Sequence, residues 1–144
     1  MSAPVPVPLD VAELVVRELR RLLSGRPEEV AAGALVATET GRGSDGGPPS
    51  LPWLLVAEDG HAWQWPAIQR ATIRITCWHH TEHRAKALAG LALGLLSARP
   101  PQGAFISASP VTGPLLGIDP YTSRPLAFVA CSVLARTRTM RVFP

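Results

Sequence analysis

Residues 68–78 alternate between apolar and polar side chains, and this period of two constrains the fold more than any other feature. A strand places every second residue on one side, so the apolar side must lie against a hydrophobic layer. The apolar positions are Ala71, Ile73, Ile75 and Cys77, and the opposite positions are Arg70, Thr72, Arg74, Thr76 and Trp78. The chain must therefore supply other elements that cover one face of this strand.

Two helices are predicted to supply that layer. Asp10 is a predicted N-cap, Glu13 completes a capping-box pattern, and Ser24-Gly25 ends the first helix. Thr81 caps a second helix that runs to about Ala98 and is ended by two prolines. The apolar side of the strand is expected to pack on the second helix, through Leu88, Leu91 and Leu95.

Five further segments have strand character. Residues 34–40 can form a short strand, and residues 53–57 and 61–65 flank Glu58-Asp59-Gly60-His61, in which Asp-Gly is a strong hairpin-turn signal. Residues 104–109 and 126–138 are the last strands, separated by a Pro- and Gly-rich excursion over 110–125. Grouped antiparallel strands with helices on one face predict the α+β class. We expect a mostly antiparallel sheet of about 4–5 strands with two helices packed on one face.

The 144 residues, of which 47% are hydrophobic, suffice for one hydrophobic core but not for two. We therefore expect a single domain over residues 1–144. Proline alternating with alanine and valine predicts an extended N-terminal arm over 1–9, and Gly, Ser and Pro predict a mobile loop over 41–50. Residues 139–144 are interpreted as a C-terminal tail.

The last predicted strand is unusually long. At about 3.3 Å per residue, residues 126–138 would span roughly 40 Å, against about 17–20 Å for an ordinary strand. A strand that outruns its own sheet is a candidate to pair with, or pack on, a neighbouring subunit. Two alternatives stay open: the strand bends, or it ends at Ala135.

Charge is unevenly placed along the chain. Residues 1–66 hold five arginines and nine acidic side chains, a net of −4, whereas residues 67–144 hold eight arginines and one lysine against two acids, a net of +7. Such a split suits head-to-tail self-association or contact with a polyanion. A scatter of solvated charges is the plainer alternative.

No motif predicts a cofactor. Gly41-Arg-Gly43-Ser-Asp-Gly46 fits the dinucleotide-binding pattern, but that pattern must open a helix and is here followed by Pro48-Pro49. A hydrolase elbow, a phosphate-binding loop and a zinc-protease motif are all missing from the sequence. The carboxylates Glu58 and Asp59 fall in the predicted turn, where Asp is favoured for backbone reasons. We expect a protein without enzymatic activity.

A metal site is also not expected. His79, His80 and His83 cluster with Glu82 at a strand–helix junction, and His79 and His83 have a spacing that can place two imidazoles on one helix face. No third ligand is free nearby, because Cys77 belongs to the buried side of its strand. The histidines are interpreted as surface residues, and Cys77 and Cys131 as buried thiols.

Two stretches resemble the tail-terminator proteins of long-tailed, siphovirus-like phages, the minor tail protein U-like group. The first is Ile73-Arg-Ile-Thr-Cys-Trp-His-His-Thr, which leads into Arg84-Ala-Lys-Ala-Leu-Ala. The second is Thr112-Gly-Pro followed by Asp119-Pro-Tyr-Thr-Ser-Arg-Pro-Leu-Ala-Phe, which leads into the final strand. The order of elements extends this likeness over nearly the whole chain. The 41–50 loop and the Arg-rich C-terminus have no counterpart in it.

The resemblance implies a structural virion protein without cofactor or catalytic residues. It implies a homo-oligomeric ring, usually a hexamer, at the head-proximal end of the tail tube, built in the host cytoplasm. The ring ends tube polymerisation and joins the tube protein to the head–tail connector or stopper protein, with no membrane involved. DNA passes non-specifically through the lumen. The candidates for the lumen or the subunit interface are Arg70, Arg74, Arg136, Arg138 and Arg141.

Two other functions remain open at this point. A head-completion or stopper protein of the neck belongs to the same structural class. A free-standing nucleic-acid-binding domain would instead use the basic residues of 67–144, and its DNA binding as a monomer would depend on salt.

Overall fold

A computed structural model describes residues 3–40, residue 43 and residues 46–142. The helices are α1 (Val11–Leu23) and α2 (Glu82–Ala98), with a short 3-10 turn at Glu29–Ala31. The strands are β1 (Ala3–Val7), β2 (Leu35–Ala37), β3 (Trp53–Gln64), β4 (Ile68–Trp78), β5 (Phe105–Ile118), β6 (Pro125–Arg136) and β7 (Arg138–Val142).

The main sheet has five strands in the order β2-β3-β4-β6-β5, and all its pairs are antiparallel except β2-β3. Strands β1 and β7 form a separate antiparallel pair. The predicted α+β class, with a mostly antiparallel sheet and two helices, is confirmed. Both helices contribute to one core on one face of the main sheet.

The predicted helix boundaries are confirmed by their caps. The Asp10 carboxylate accepts a hydrogen bond from the N–H of Glu13 at 3.1 Å, and the Thr81 hydroxyl accepts one from the N–H of Arg84 at 3.1 Å. Helix α1 ends at Leu23 with Ser24 as its C-cap, after which Gly25 takes a φ of 70° that favours glycine. These side chains satisfy backbone donors that the first turns leave unpaired.

The core forms where the alternation of β4 predicted it, but α2 contributes a different face. The predicted core positions of β4, Ala71, Ile73, Ile75 and Cys77, are fully buried, as is Leu88. Leu91 and Leu95, predicted to be buried, are only half-buried. The buried positions of α2 are Ala85, Leu88, Ala89, Ala92, Leu93 and Leu96. Alanines at these positions have no long side chain to hold the helix away from the sheet, so the broad leucine stripe turns partly to solvent.

The predicted hairpin turn at Glu58-Asp59-Gly60-His61 is wrong. Strand β3 runs through these residues without a break and pairs with β4 from Trp53 to Gln64, with a register shift between Glu58 and Gly60. Asp59 is the extra residue of a β-bulge, a site where Gly is also common, so the Asp-Gly signal marked a bulge. The chain turns instead at residues 65–67.

The Pro- and Gly-rich excursion predicted over 110–125 is also mostly strand. Strand β5 extends to Ile118 and pairs with β6 down to Pro125, with shifts in register near Pro110, Thr112 and Leu115. Strand β5 is an edge of the sheet, where a proline on the unpaired side removes no ladder hydrogen bond. Proline content alone therefore misled the prediction of a loop.

The long last strand bends, which was one of the three alternatives. Strand β6 ends at Arg136, Thr137 interrupts it, and β7 then leaves the main sheet to pair with β1. The residues interpreted as a C-terminal tail, 139–144, are thus strand as far as Val142, which pairs with Ala3 of the predicted N-terminal arm. We call this β1–β7 pair the terminal ribbon.

Only part of the predicted mobile loop lies within the described residues. Residues 41, 42, 44 and 45 lie outside them. Within the remainder, the N–H of Gly43 donates to the carbonyl of Gly47 at 2.8 Å, and Pro48 is buried.

Candidate functional site: the open sheet face and its edges

Three of the candidate arginines lie on the sheet face that neither helix covers. Arg70 and Arg74 alternate with the buried residues of β4, and Arg136 lies directly opposite Ile68 on β6. Directly paired residues of an antiparallel ladder project to the same face, so these arginines share that face. All three are exposed. We call this surface the arginine face.

The arginine face leaves its cations accessible. Arg70 donates to the hydroxyl of Ser132 at 3.3 Å, and Arg74 lies 3.5 Å from the Asp59 carboxylate of the bulge. The Arg74 and Asp59 side chains are 48% and 42% exposed, so this ion pair is a weak surface contact. Half-buried apolar side chains lie between the arginines and the sheet edge, including Phe128 and Leu134. The surface therefore combines positive charge with uncovered apolar area.

The other two candidates lie on the terminal ribbon. Arg138 is exposed and its backbone lies opposite Val7. The backbone of Arg141 lies opposite Pro4, and the side chain of Arg141 lies outside what the structure describes. The structure thus separates Arg138 and Arg141 from the arginine face by the bend at Thr137.

The ribbon is attached to the main sheet at both of its inner ends. The buried side chain of Gln69 accepts from the N–H of Leu9 at 2.7 Å and donates to the carbonyl of Leu9 at 3.0 Å. Thr137 donates its hydroxyl to the carbonyl of Pro66 and its N–H to the carbonyl of Ala67, both at 2.8 Å. Both attachments lie at the β3–β4 turn, so the ribbon extends from that end of the sheet.

The opposite end of the sheet carries a turn organised by Asp119. This carboxylate is 4% exposed and accepts hydrogen bonds from the indole N–H of Trp78 at 3.0 Å and the N–H of Tyr121 at 2.8 Å. Burial alone would raise the pKa of Asp119, but hydrogen bonds from Tyr121, Trp78 and Thr122 outweigh it and lower that pKa. A buried, ionised aspartate therefore holds the β5–β6 turn in one shape.

Sequence reasoning missed the apolar side chains around this turn because it took the segment for a loop. The exposed large hydrophobic residues of 105–121 are Val111, Leu115, Leu116, Ile118 and Tyr121. The sequence does contain a signal: in the segment interpreted as a Pro- and Gly-rich excursion, only Asp119 and Arg124 are charged between residues 109 and 124. Loss of charge without burial is a mark of interface cores.

The histidine cluster is partly buried, which corrects the interpretation of surface histidines. His79 is 3% exposed, its Nε2 lies 3.0 Å from the carbonyl oxygen of Val30, and its Nδ1 accepts from the N–H of His80 at 2.8 Å. Desolvation lowers the pKa of His79. Both ring nitrogens are thus occupied by the fold, and only His80 and His83 are exposed.

Neither thiol is positioned for chemistry. Cys77 and Cys131 are buried and unpaired with each other, and burial raises the pKa of both, that of Cys131 to about 11. Within the described ranges, no three His, Cys, Asp or Glu side chains come together in a way that could hold a metal ion.

No protein-family model matches the chain, and no curated protein matches it significantly in sequence. Among the described residues, no helix has the length and apolar character needed to cross a membrane.

Proposed function

We propose that this chain is a structural virion subunit that forms a ring at the head-proximal end of a phage tail tube. The ring ends tube polymerisation and provides the surface on which the head joins the tail. The observation that carries the proposal is that Arg70, Arg74 and Arg136 share one sheet face that neither helix covers. The resemblance of two sequence stretches to tail terminators is the reason for proposing this particular ring.

The chemistry of the arginine face suits passage of DNA. Guanidinium groups bind phosphate oxygens without reading the bases, so a wall of arginines attracts the DNA backbone but does not select a sequence. Arg70 and Arg136 are diagonal neighbours in the ladder, and Arg74 lies four residues, or two strand repeats, further along β4. Repeated around a ring, this spacing gives a positively charged lumen.

The terminal ribbon suits contact with a neighbouring subunit. A two-stranded ribbon standing alone is only marginally stable in water, and Pro4 and Pro6 remove two donors from β1. Docking on the next subunit would stabilise the ribbon and cover its open edge. In this arrangement Arg138 and Arg141 meet a neighbouring subunit, while the arginine face meets the lumen.

The experiment is complementation of tail assembly by a truncated chain. Removal of residues 138–144 deletes β7 but keeps the Thr137 bonds that close the main sheet. We expect a folded subunit that no longer limits tail length, seen as overlong tubes in negative-stain images. The matched control, Arg17→Gln on the exposed side of α1, retains normal tails. Normal tail length with the truncated chain would overturn the role of the ribbon.

The alternative of a free-standing nucleic-acid-binding domain draws on the same exposed arginines. It predicts salt-dependent binding of DNA by the monomer, with affinity that does not increase on ring formation. The tail-terminator proposal predicts weak binding by the monomer and stronger binding by the assembled ring, because only the ring surrounds the duplex.

A further inference from the structure

The β5–β6 turn presents a compact apolar projection. Leu115, Leu116, Ile118 and Tyr121 are 50%, 47%, 66% and 86% exposed, respectively. Together they expose on the order of 400–500 Å² of mostly apolar surface, divided between the two faces of the hairpin. We call these four residues the tip.

The tip is held rigidly although its side chains meet solvent. The Asp119 carboxylate fixes the backbone of Tyr121, and its bond to Trp78 ties the turn to β4. The carbonyl of Asp119 also accepts from the N–H of Ser123 at 2.8 Å. A rigid projection loses little conformational entropy when it binds, so an exposed aromatic side chain on it is suited to be a binding anchor.

A groove lies at the other edge of the main sheet. Its volume is about 660 Å³, and its apolar lining comes from the end of α1, the segment around β2 and the start of β3. The apolar lining residues include Leu23, Ala31, Ala34, Leu35, Val36 and Trp53. Arg20 and Arg26 also line the groove, and guanidinium groups favour contact with an aromatic ring.

The tip and the groove occupy opposite edges of the sheet at the same end. One row of paired residues joins them across all five strands: Leu35, Trp53, Trp78, Leu126 and Gly117. At about 4.8 Å between strands, the row is roughly 19 Å wide. A copy placed beside the sheet therefore meets the tip of one chain with the groove of the next.

We infer that the tip of one copy inserts into the groove of a second copy of the same chain. The contact is head-to-tail, because it joins two different surfaces, and such contacts form rings when the rotation closes. This inference rests on the proposal that the chain forms a ring of identical subunits, and it specifies the surfaces through which neighbouring subunits bind. Tyr121 is the anchor, with its ring between the groove's arginines and its apolar lining.

The two faces of the tip favour a groove over a flat partner. Leu115 projects to the arginine face beside Phe128, whereas Leu116 and Ile118 pair with Ala127 and Pro125 and project to the opposite face. A flat partner would cover only one of these faces, but the walls of a groove cover both. The tip contributes on the order of 400–500 Å² to one such contact, against roughly 800 Å² per partner in a standard interface, and each subunit of a ring forms this contact twice, once through its tip and once through its groove.

Site-specific cross-linking tests the contact, because both native cysteines are buried and do not react. Chains carrying Tyr121→Cys and chains carrying Leu35→Cys are mixed at about 1 mM and treated with a short bifunctional maleimide. In the control, chains carrying Tyr121→Cys are mixed with chains carrying Ala62→Cys. Ala62 is exposed on β3 at the far end of the sheet. We expect at least tenfold more mixed dimer than in the control.

Each result separates this contact from the tail proposal. Equal yields with the groove and control variants would overturn the inference, as would dimers formed by Tyr121→Cys alone, which indicate a symmetric contact. A specific cross-link in a chain that leaves tail length unaffected supports the contact and rejects the terminator role. Normal tail length together with cross-linking at the level of the control supports the terminator role and rejects the contact between the tip and the groove.

Discussion

Trp78 donates its indole N–H to a buried oxygen of Asp119 at 3.0 Å, across 41 positions of the sequence. This bond joins the end of β4, at the centre of the sheet, to the turn at its outer edge. Because Asp119 also accepts from the N–H of Tyr121, one carboxylate sets both the closure of the β5–β6 hairpin and the direction of the tip. The turn can therefore be tested through a single residue.

Substitution Asp119→Ala should lower the free energy of unfolding by about 2–3 kcal/mol, because it leaves a buried indole N–H and a backbone N–H without an ionised acceptor. Chemical denaturation measures the change through the midpoint at constant slope. The control is Asp59→Ala in the bulge, whose exposed pair with Arg74 should contribute less than about 1 kcal/mol. Equal effects of the two substitutions would contradict the role given to Asp119.

The pH dependence of stability should also report on Asp119. Its pKa is lower in the folded chain than the ordinary value of 3.8, so its ionised form stabilises the fold above that value. This contribution is lost as the pH falls through the lowered folded-state pKa. Denaturation from pH 5 down to pH 2 should therefore show a steeper loss for the native chain than for Asp119→Asn. Parallel curves would mean that Asp119 titrates normally.

His79 should produce a second loss of stability on acidification, in a higher pH range than the loss caused by Asp119. Its folded-state pKa lies below the ordinary value of 6.5, so its contribution is fully present above pH 6.5 and declines as the pH falls through the lowered value. Replacement by glutamine should remove this decline. His83→Gln, at an exposed position on α2, should leave the curve unchanged, and a decline that persists in His79→Gln would assign it elsewhere.

The alternation of β4 and the caps of both helices were predictable because each depends on a short, local pattern. The bulge at Asp59 was not, since an Asp-Gly pair suits a turn and a bulge equally and only pairing with β4 distinguishes them. The edge position of β5, which lets Pro110 and Pro114 remain within a strand, is likewise a tertiary property. The alternation also predicted that Arg70 and Arg74 lie on the same side of β4. The bend at Thr137, which separates Arg136 from Arg138, could not be predicted because it depends on hydrogen bonds to a turn that is distant in sequence.

A matched pair of leucines tests the revised packing of α2. Leu88→Ala should cost about 2–5 kcal/mol of stability, because this side chain is fully buried against the sheet. Leu95→Ala, at a half-buried position, should cost clearly less. Denaturant midpoints decide between this packing and the leucine stripe expected from sequence, which would make the two losses equal.

The arginine face predicts a change in the salt dependence of DNA binding. In the assembled ring, the combined change of Arg70, Arg74 and Arg136 to Gln should weaken binding to duplexes of any sequence. If each arginine meets one phosphate, the slope of log affinity against log salt should fall by up to about three for each subunit that contacts the duplex. The control instead removes three arginines of the helical side: Arg17 and Arg21, which are exposed, and Arg84, which is half-buried. An unchanged slope in the first variant would remove this face from the lumen.

The central claim is that the chain ends tail-tube growth, and tube length measures it most directly. Tube protein from the same genome is polymerised with and without the purified chain, and the products are compared in negative-stain images. The account predicts tubes that carry a ring at one end and stop growing when the chain is present, and tubes that continue to lengthen when it is absent. Tubes with the same length distribution in both samples, and no ring at either end, would contradict it.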